Sequence, residues 1–400
     1  MTPRLVACLA ALVLVTGVAG CSGTDQPHPA ARADARTPVH VDIGDCASHW
    51  RPTVAGSFRL SFTNVAHQDG EVRIVNPATQ AVYADIEPLP QGATADLDVA
   101  LGPGHYAVEC LFEAESGVQG PRLTLTGRAP ADAAPGVTPV TLSDLAGPVR
   151  SYQRWVRGQL PALTAQVATM TDALVRGDRA AAQQAWRTGH ADYERLGAAY
   201  DAFGDLDGAI NGLPAGLPRG VDDPHWTGFH AIERGLWGSA TPASLVPLAR
   251  ALLTDVGKLR TVMRPAPSSN PAEPEINVAP GVIDPLTLSI RAHEIAENTL
   301  QVSLTGRDDF GAHSSIETAA ANLDGTAAVL DLLAPLLQGR VDTAPIQVDI
   351  AQARAAVTAC STGDVRRLPT AERERVDAAF AQLTEDLAPV ASVLEPRRAR

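Results

Sequence analysis

The sequence predicts an α+β protein in two parts, a β-sandwich followed by an all-α bundle, and three observations carry that reading. Apolar residues alternate in short runs over residues 39–127, whereas from Leu142 onward they recur at helical spacing. An Ala/Pro/Gly-rich stretch, 128–138, lies where the period changes. The chain of 400 residues, 45% hydrophobic, is too long for one average domain and apolar enough to build two cores.

The elements follow in order. Arg4, an apolar run over 5–18 and the small residues Val18, Ala19 and Gly20 read as an export signal, residues 1–20. The cysteine that follows, Cys21, resembles the lipid-attachment cysteine of bacterial lipoproteins, so cleavage before Cys21 and acylation of its thiol are expected. Residues 21–37 are polar and Pro/Ala-rich, as a tether is. No later segment is expected to span a bilayer, which leaves the lipid as the anchor. The β part is expected over 38–128, with strands at 39–43, 57–65, 72–75, 95–101, 105–112 and 122–126 separated by turns such as Gln68-Asp69-Gly70. A linker at 129–141 leads to the helical part, 142–396. Tyr152, Trp155, Val156, Leu160 and Leu163 keep a helical period until Gly177-Asp178. Further helices are expected at 179–203, 225–237, 243–264, 284–304, 313–338, 346–360 and 369–395, about six to eight in all, with one Pro-rich loop over 265–285.

A net charge of -13 disfavours nucleic acid and favours cations. Of five cysteines, Cys8 leaves with the signal and Cys21 takes the lipid, so Cys46, Cys110 and Cys360 remain. An odd number outside the cell means that at least one thiol is free, ligating a metal or paired between molecules.

The sharpest motif is Gly228-Phe229-His230-Ala231-Ile232-Glu233. On a helix, positions i and i+3 share a face, so an imidazole and a carboxylate can reach one ion while facing helices supply the rest. Three other segments offer His/Glu pairs: His190 with Glu194, His293 with Glu294 and Glu297, and His313 with Glu317. Any one pair is ordinarily a solvated helix face. Four pairs on four helices, in a chain with ten histidines, point to a shared metal site.

These residues also carry a resemblance. The succession Tyr193-Glu194-Arg195, the run Gly228 through Trp237, Glu294-Ile295-Ala296, His313 and Asn322-Leu323-Asp324-Gly325 resembles the EfeO/imelysin family across residues 145–395. The resemblance implies an imelysin-like helical domain that binds iron in the bacterial envelope, with metal ligands at His230, Glu233, Glu194, Glu294 and His313. It implies a membrane iron permease and a haem peroxidase as partners. Two departures stand out: Gly197 replaces the family's second Glu, and Ser315-Ile316-Glu317-Thr318 replaces its Asp-Leu-Trp-Asp. The β part resembles the family's cupredoxin-like domain, which implies ligands at Cys46, Glu71 and Cys110. A blue-copper site needs two His, a Cys and an axial Met, but Met1, Met170 and Met263 all lie outside the β part. Two thiolates and a carboxylate would suit copper or zinc at a second site; two cysteines in an exported sandwich equally suit a disulfide. His49, His67 and His105 read as surface residues, Trp155, Trp186, Trp226 and Trp237 as core or helix contacts, and Cys360 as a small core residue.

The function expected is therefore a membrane-anchored, extracytoplasmic binding protein for ferric or ferrous iron that delivers the ion to a permease. A metallopeptidase is the first alternative, although His293-Glu294 is followed by Ile-Ala-Glu and the His-Glu-x-x-His pattern is absent. A copper-dependent ferroxidase working through the β part is the second.

Overall fold

A computed structural model describes residues 36–112, 117–264 and 281–396. The signal, most of the tether, Cys21 and most of the 265–285 loop lie outside the described residues.

The β part contains two sheets. Strands β1 (Thr37–Asp42), β2 (Asp45–Cys46), β3 (Gly56–Asn64) and β6 (Thr94–Leu101) form one, in the order β2-β1-β3-β6. Strands β4 (Gly70–Val75), β5 (Val82–Leu89), β7 (Gly104–Phe112) and β8 (Val118–Gln119) form the other, in the order β5-β4-β7-β8, and β9 (Leu123–Leu125) pairs with β7. Both sheets feed one apolar core: Val39, Leu60, Phe62 and Leu101 come from the first, Val72, Ile74, Val108 and Phe112 from the second. The six predicted strands are present. Missing from the prediction are the two-residue strands β2 and β8, and β5, which carries Pro88. As a sheet edge, β5 tolerates a residue that donates no hydrogen bond.

Ten α-helices follow among the described residues: α1 (Leu142–Val175), α2 (Arg179–Glu194), α3 (Tyr200–Phe203), α4 (Asp205–Asn211), α5 (Gly228–Trp237), α6 (Pro242–Val262), α7 (Pro285–Gln301), α8 (Ser315–Leu337), α9 (Ala344–Thr358) and α10 (Thr370–Leu394). Their starts are legible. Thr141 and Asp144 form a capping box at α1, Asp178 caps α2, and Asp284 caps α7 ahead of Pro285. Tyr152, Trp186, Phe229 and Phe380 are buried in the bundle core. The predicted helix over 179–203 breaks after Glu194 into a 3-10 turn over Gly197–Ala199 and the short α3; Gly204, at φ +58, then turns the chain into α4. That break exceeds the expected six to eight helices and brings α4 back beside α5. One expectation needs correcting: α8 is long and apolar enough by composition to cross a membrane. Half of its apolar window is buried, however, and Leu323, Val329, Leu330 and Leu333 belong to the bundle core.

Candidate metal centre

The histidine motif sits at the start of α5, where the backbone runs against α4. Gly228 has φ +84, and a Cβ there would lie 2.3 Å from the Ile210 carbonyl oxygen. Only glycine fits that approach. Thr227 Oγ1 donates to the Ala209 carbonyl and Trp226 Nε1 to the Gly212 carbonyl at 2.9 Å, so the start of α5 is tied to the end of α4. Trp186 Nε1 of α2 donates to the Phe229 carbonyl at 2.9 Å.

Held this way, His230 is 1% exposed and borders a cavity of about 230 Å³. Its Nδ1 lies 3.1 Å from Glu233 Oε2. The other Glu233 oxygen accepts from the Phe310 and Ala312 amides, both at 2.9 Å. Glu233 is fully buried and does not border the cavity. The motif therefore divides its labour. Glu233 was expected as a ligand from the i, i+3 spacing, yet its carboxylate faces the His230 ring and the loop amides and does not border the cavity; with the Nδ1 proton directed at Glu233, Nε2 is the ring nitrogen left available.

Glu194, at the end of α2, borders the same cavity. Its Oε1 accepts from Asn211 at 2.7 Å and lies 3.2 Å from His190 Nε2. Asn322, with its amide turned to satisfy both neighbours, donates to Oε2 at 3.2 Å and accepts from Thr299 Oγ1. Burial would raise the Glu194 pKa, but the hydrogen bond and charge of His190, with His230 and Asn211, hold it below the usual carboxylate value. His190 stacks on Trp186 at 4.7 Å and meets His230 edge-on at 5.1 Å. Burial lowers its pKa, yet the bond and charge of Glu194, with Glu233 and Asp308, carry it above the ordinary histidine value.

Two further acids complete the chamber. Asp308 takes the Ser303 hydroxyl at 2.6 Å, and Asp207 takes the Tyr193 phenol. Burial raises both carboxyls. Neither was singled out in the sequence. The loop that carries Asp308 is wound around two buried carboxylates, Glu233 on one side and Asp309 on the other; Asp309 accepts from the amides of Gly311, His313 and Ser314. The adjacent acids 308 and 309, in a glycine-flanked loop before His313, were the available signal.

The other expected ligands divide. Glu294 of α7 borders the cavity, but it is 41% exposed and paired with Arg291 at 3.0 Å. His293 turns toward Glu297 on the outside, and Glu317 pairs with Arg187 at 2.9 Å. His313, at φ +55, is outside the cavity: its Nδ1 lies 2.9 Å from Asp364, beside Asp309. Arg366 pairs with both of those acids, Asp364 Oδ1 accepts from the Arg366 amide, and Asp309 accepts from three loop amides, so the group ties the loop to the segment around Asp364. His313 thus stands apart from the cavity and from His230, although its ring and the two acids bring ligand atoms within 4.8 Å of one another, close enough to share an ion of their own.

The expected β site does not form. Cys46 and Cys110 are joined in a disulfide, which removes the two thiolates a metal would need. Glu71 also lies on the wrong face. Val72 pairs with Cys110 and Glu71 with Leu111, and neighbouring strand residues point to opposite faces. Glu71, Asp85 and Glu87 come within 4.8 Å of one another on the outer face, where Arg73, 3% exposed, pairs with Glu71. His49, His67 and His105 are exposed. Cys360 is a free thiol packed at the edge of the bundle core.

Residues 148–390 match the family model described as imelysin. The protein named iron uptake system component EfeO, in Escherichia coli strain K12 and in Shigella flexneri, is 27% identical over 321 residues, covering 78% of this chain and 80% of that protein. A solved structure, a putative iron-regulated protein A precursor from Parabacteroides distasonis, is 14% identical, with 63% of this chain and 95% of that chain covered and a TM-score of 0.42.

Proposed function

The chain belongs to the imelysin family, and from that premise we propose that it is a lipid-anchored, extracytoplasmic iron carrier that holds the ion in the cavity beside His230. One observation carries the reading. His230, Glu194, Asp207 and Asp308 surround a single chamber, and among the described residues no arginine or lysine pairs with any of the three acids. Glu194 is buried and Asp207 and Asp308 are half-buried, so crowding three carboxylates here is costly even with His190 beside Glu194, and a multivalent ion would offset that cost. Carboxylate oxygen with one imidazole suits ferric or ferrous iron better than a softer metal. Similarity to EfeO, an iron uptake system component, favours iron as the cargo and a place in an uptake system; within such a system we propose a membrane iron permease and a haem peroxidase as partners. The leader and Cys21 favour an anchored position outside the cell. The disulfide in the β part argues against copper or zinc there, and so against the ferroxidase alternative.

Metal analysis of the purified protein tests this. The wild type is expected to hold iron, and His230→Ala or Glu194→Gln to weaken binding by about 100-fold while helicity is kept. Equal iron content in all three proteins would refute the site.

A further inference from the structure

Helix α7 presents Arg291, Glu294, Ile295 and Asn298 to the cavity, at the i, i+3, i+4 and i+7 spacing of a single helix face. Arg291 therefore puts a permanent positive charge on the wall of a chamber otherwise provided with acids. Its fork is divided. Nε donates to Asp201 Oδ2 at 3.1 Å and Nη2 bonds the other Asp201 oxygen, while Nη1 lies 3.0 Å from Glu294 Oε2. Asp201 is 53% exposed and Arg291 23%, so the pair runs inward from the surface to the chamber wall.

We infer that Arg291 is a resident counter-cation that competes with the cargo for Glu294 and keeps the ion loosely enough held to be handed on. The inference rests on reading the cavity as the metal site. A multivalent ion outbids a single guanidinium charge for a carboxylate, so Glu294 turns to the ion when it enters. Asp201 keeps two of the three guanidinium contacts, which leaves Arg291 beside Glu294 throughout and able to recapture it as the ion leaves. Arginine does not lose its proton in proteins, so the competition operates at every physiological pH.

Cobalt(II), whose visible band reports ligation, serves as the probe on the full chain, with affinity and chelator-driven release measured together. Arg291→Gln is expected to tighten binding by about tenfold and to slow release. Arg291→Lys keeps the charge and is expected to stay near wild type. Asp201→Asn turns the whole fork toward Glu294 and is expected to weaken binding. Unchanged or weaker binding in a folded Arg291→Gln overturns the inference. Should that variant misfold, unchanged or tighter binding in Asp201→Asn does the same. A His230→Ala control separates the two levels. Cobalt binding that ignores His230 removes the metal site and this inference with it, whereas His230-dependent binding that ignores Arg291 removes the inference alone.

Discussion

In the β half, Glu71, Asp85 and Glu87 stand around Arg73, and Cys46 is joined to Cys110. In the helical half, Glu194, Asp207 and Asp308 stand around a cavity, with His230 aimed in by Glu233. Both halves bury the donor types that bind metals. The outcome differs because donors in the β half already have partners that the protein supplies: a guanidinium for the carboxylates, a second sulfur for the thiol. In the helical half the acids take hydrogen bonds from neutral groups and from His190, and among the described residues none of the three is paired with an arginine or lysine. On the proposed reading, donor identity alone is a poor guide to a metal site, and carboxylates that lack an arginine or lysine partner beside an open volume are a better one.

The largest expected effect breaks the comparison at the disulfide. The bond closes a loop across a sequence separation of 64, for which chain-entropy reasoning gives about 4 kcal/mol. Cys46→Ser with Cys110→Ser is expected to lower the unfolding free energy of the β part by that order, read by denaturant titration, and to leave iron affinity unchanged. Loss of iron along with the disulfide would mean that the halves do not act separately. Next in size is Glu233→Gln. An amide keeps the volume, but it can present its NH2 to the Nδ1 proton or to the backbone amides of Phe310 and Ala312. Iron affinity is expected to fall by about 10- to 100-fold although Glu233 never touches the ion. An unchanged affinity would show that His230 needs no orienting partner.

How much of this could be read from the sequence depends on how local the cause is. His230 and Glu194 were legible because each belongs to a His/Glu pair on one face of a predicted helix, although the sequence did not mark the break that follows Glu194. The α+β division was legible from the change of period at 128–142. Asp308 was not, because it lies in a loop whose path is set by Glu233, some 75 residues earlier, and by Asp309 folding the backbone back on itself. His313 was expected beside His230 because it stands before a helix with a glutamate one turn on; its positive φ swings the side chain toward Asp364 instead, which no spacing rule anticipates. The Glu71 expectation failed on register. Strand pairing decides the face, and Cys110 shares its face with Val72 and not with Glu71.

The smallest effect sharpens the comparison through pH. Burial, reinforced by the charges of Asp85 and Glu87 on β5 and opposed by Arg73 on β4, raises the Glu71 carboxyl to about 7; Glu109 of β7 lies across from Arg73 on the same sheet. Its unfolded value is 4.5, so the folded state holds the proton more tightly. The contribution to stability is then fully present below about pH 4.5 and is lost as the pH rises through about 7, by roughly 1–2 kcal/mol after allowance for partial exposure. In the helical half, Glu194 is shifted the other way, and its contribution is lost as the pH falls. Unfolding of the β part, followed between pH 4.5 and 7.5, is expected to become easier with rising pH, and Glu71→Gln is expected to flatten that slope whatever its effect on absolute stability. A slope that survives the substitution would place the excess buried charge of the β part elsewhere, and Arg73 would then have fully neutralised Glu71.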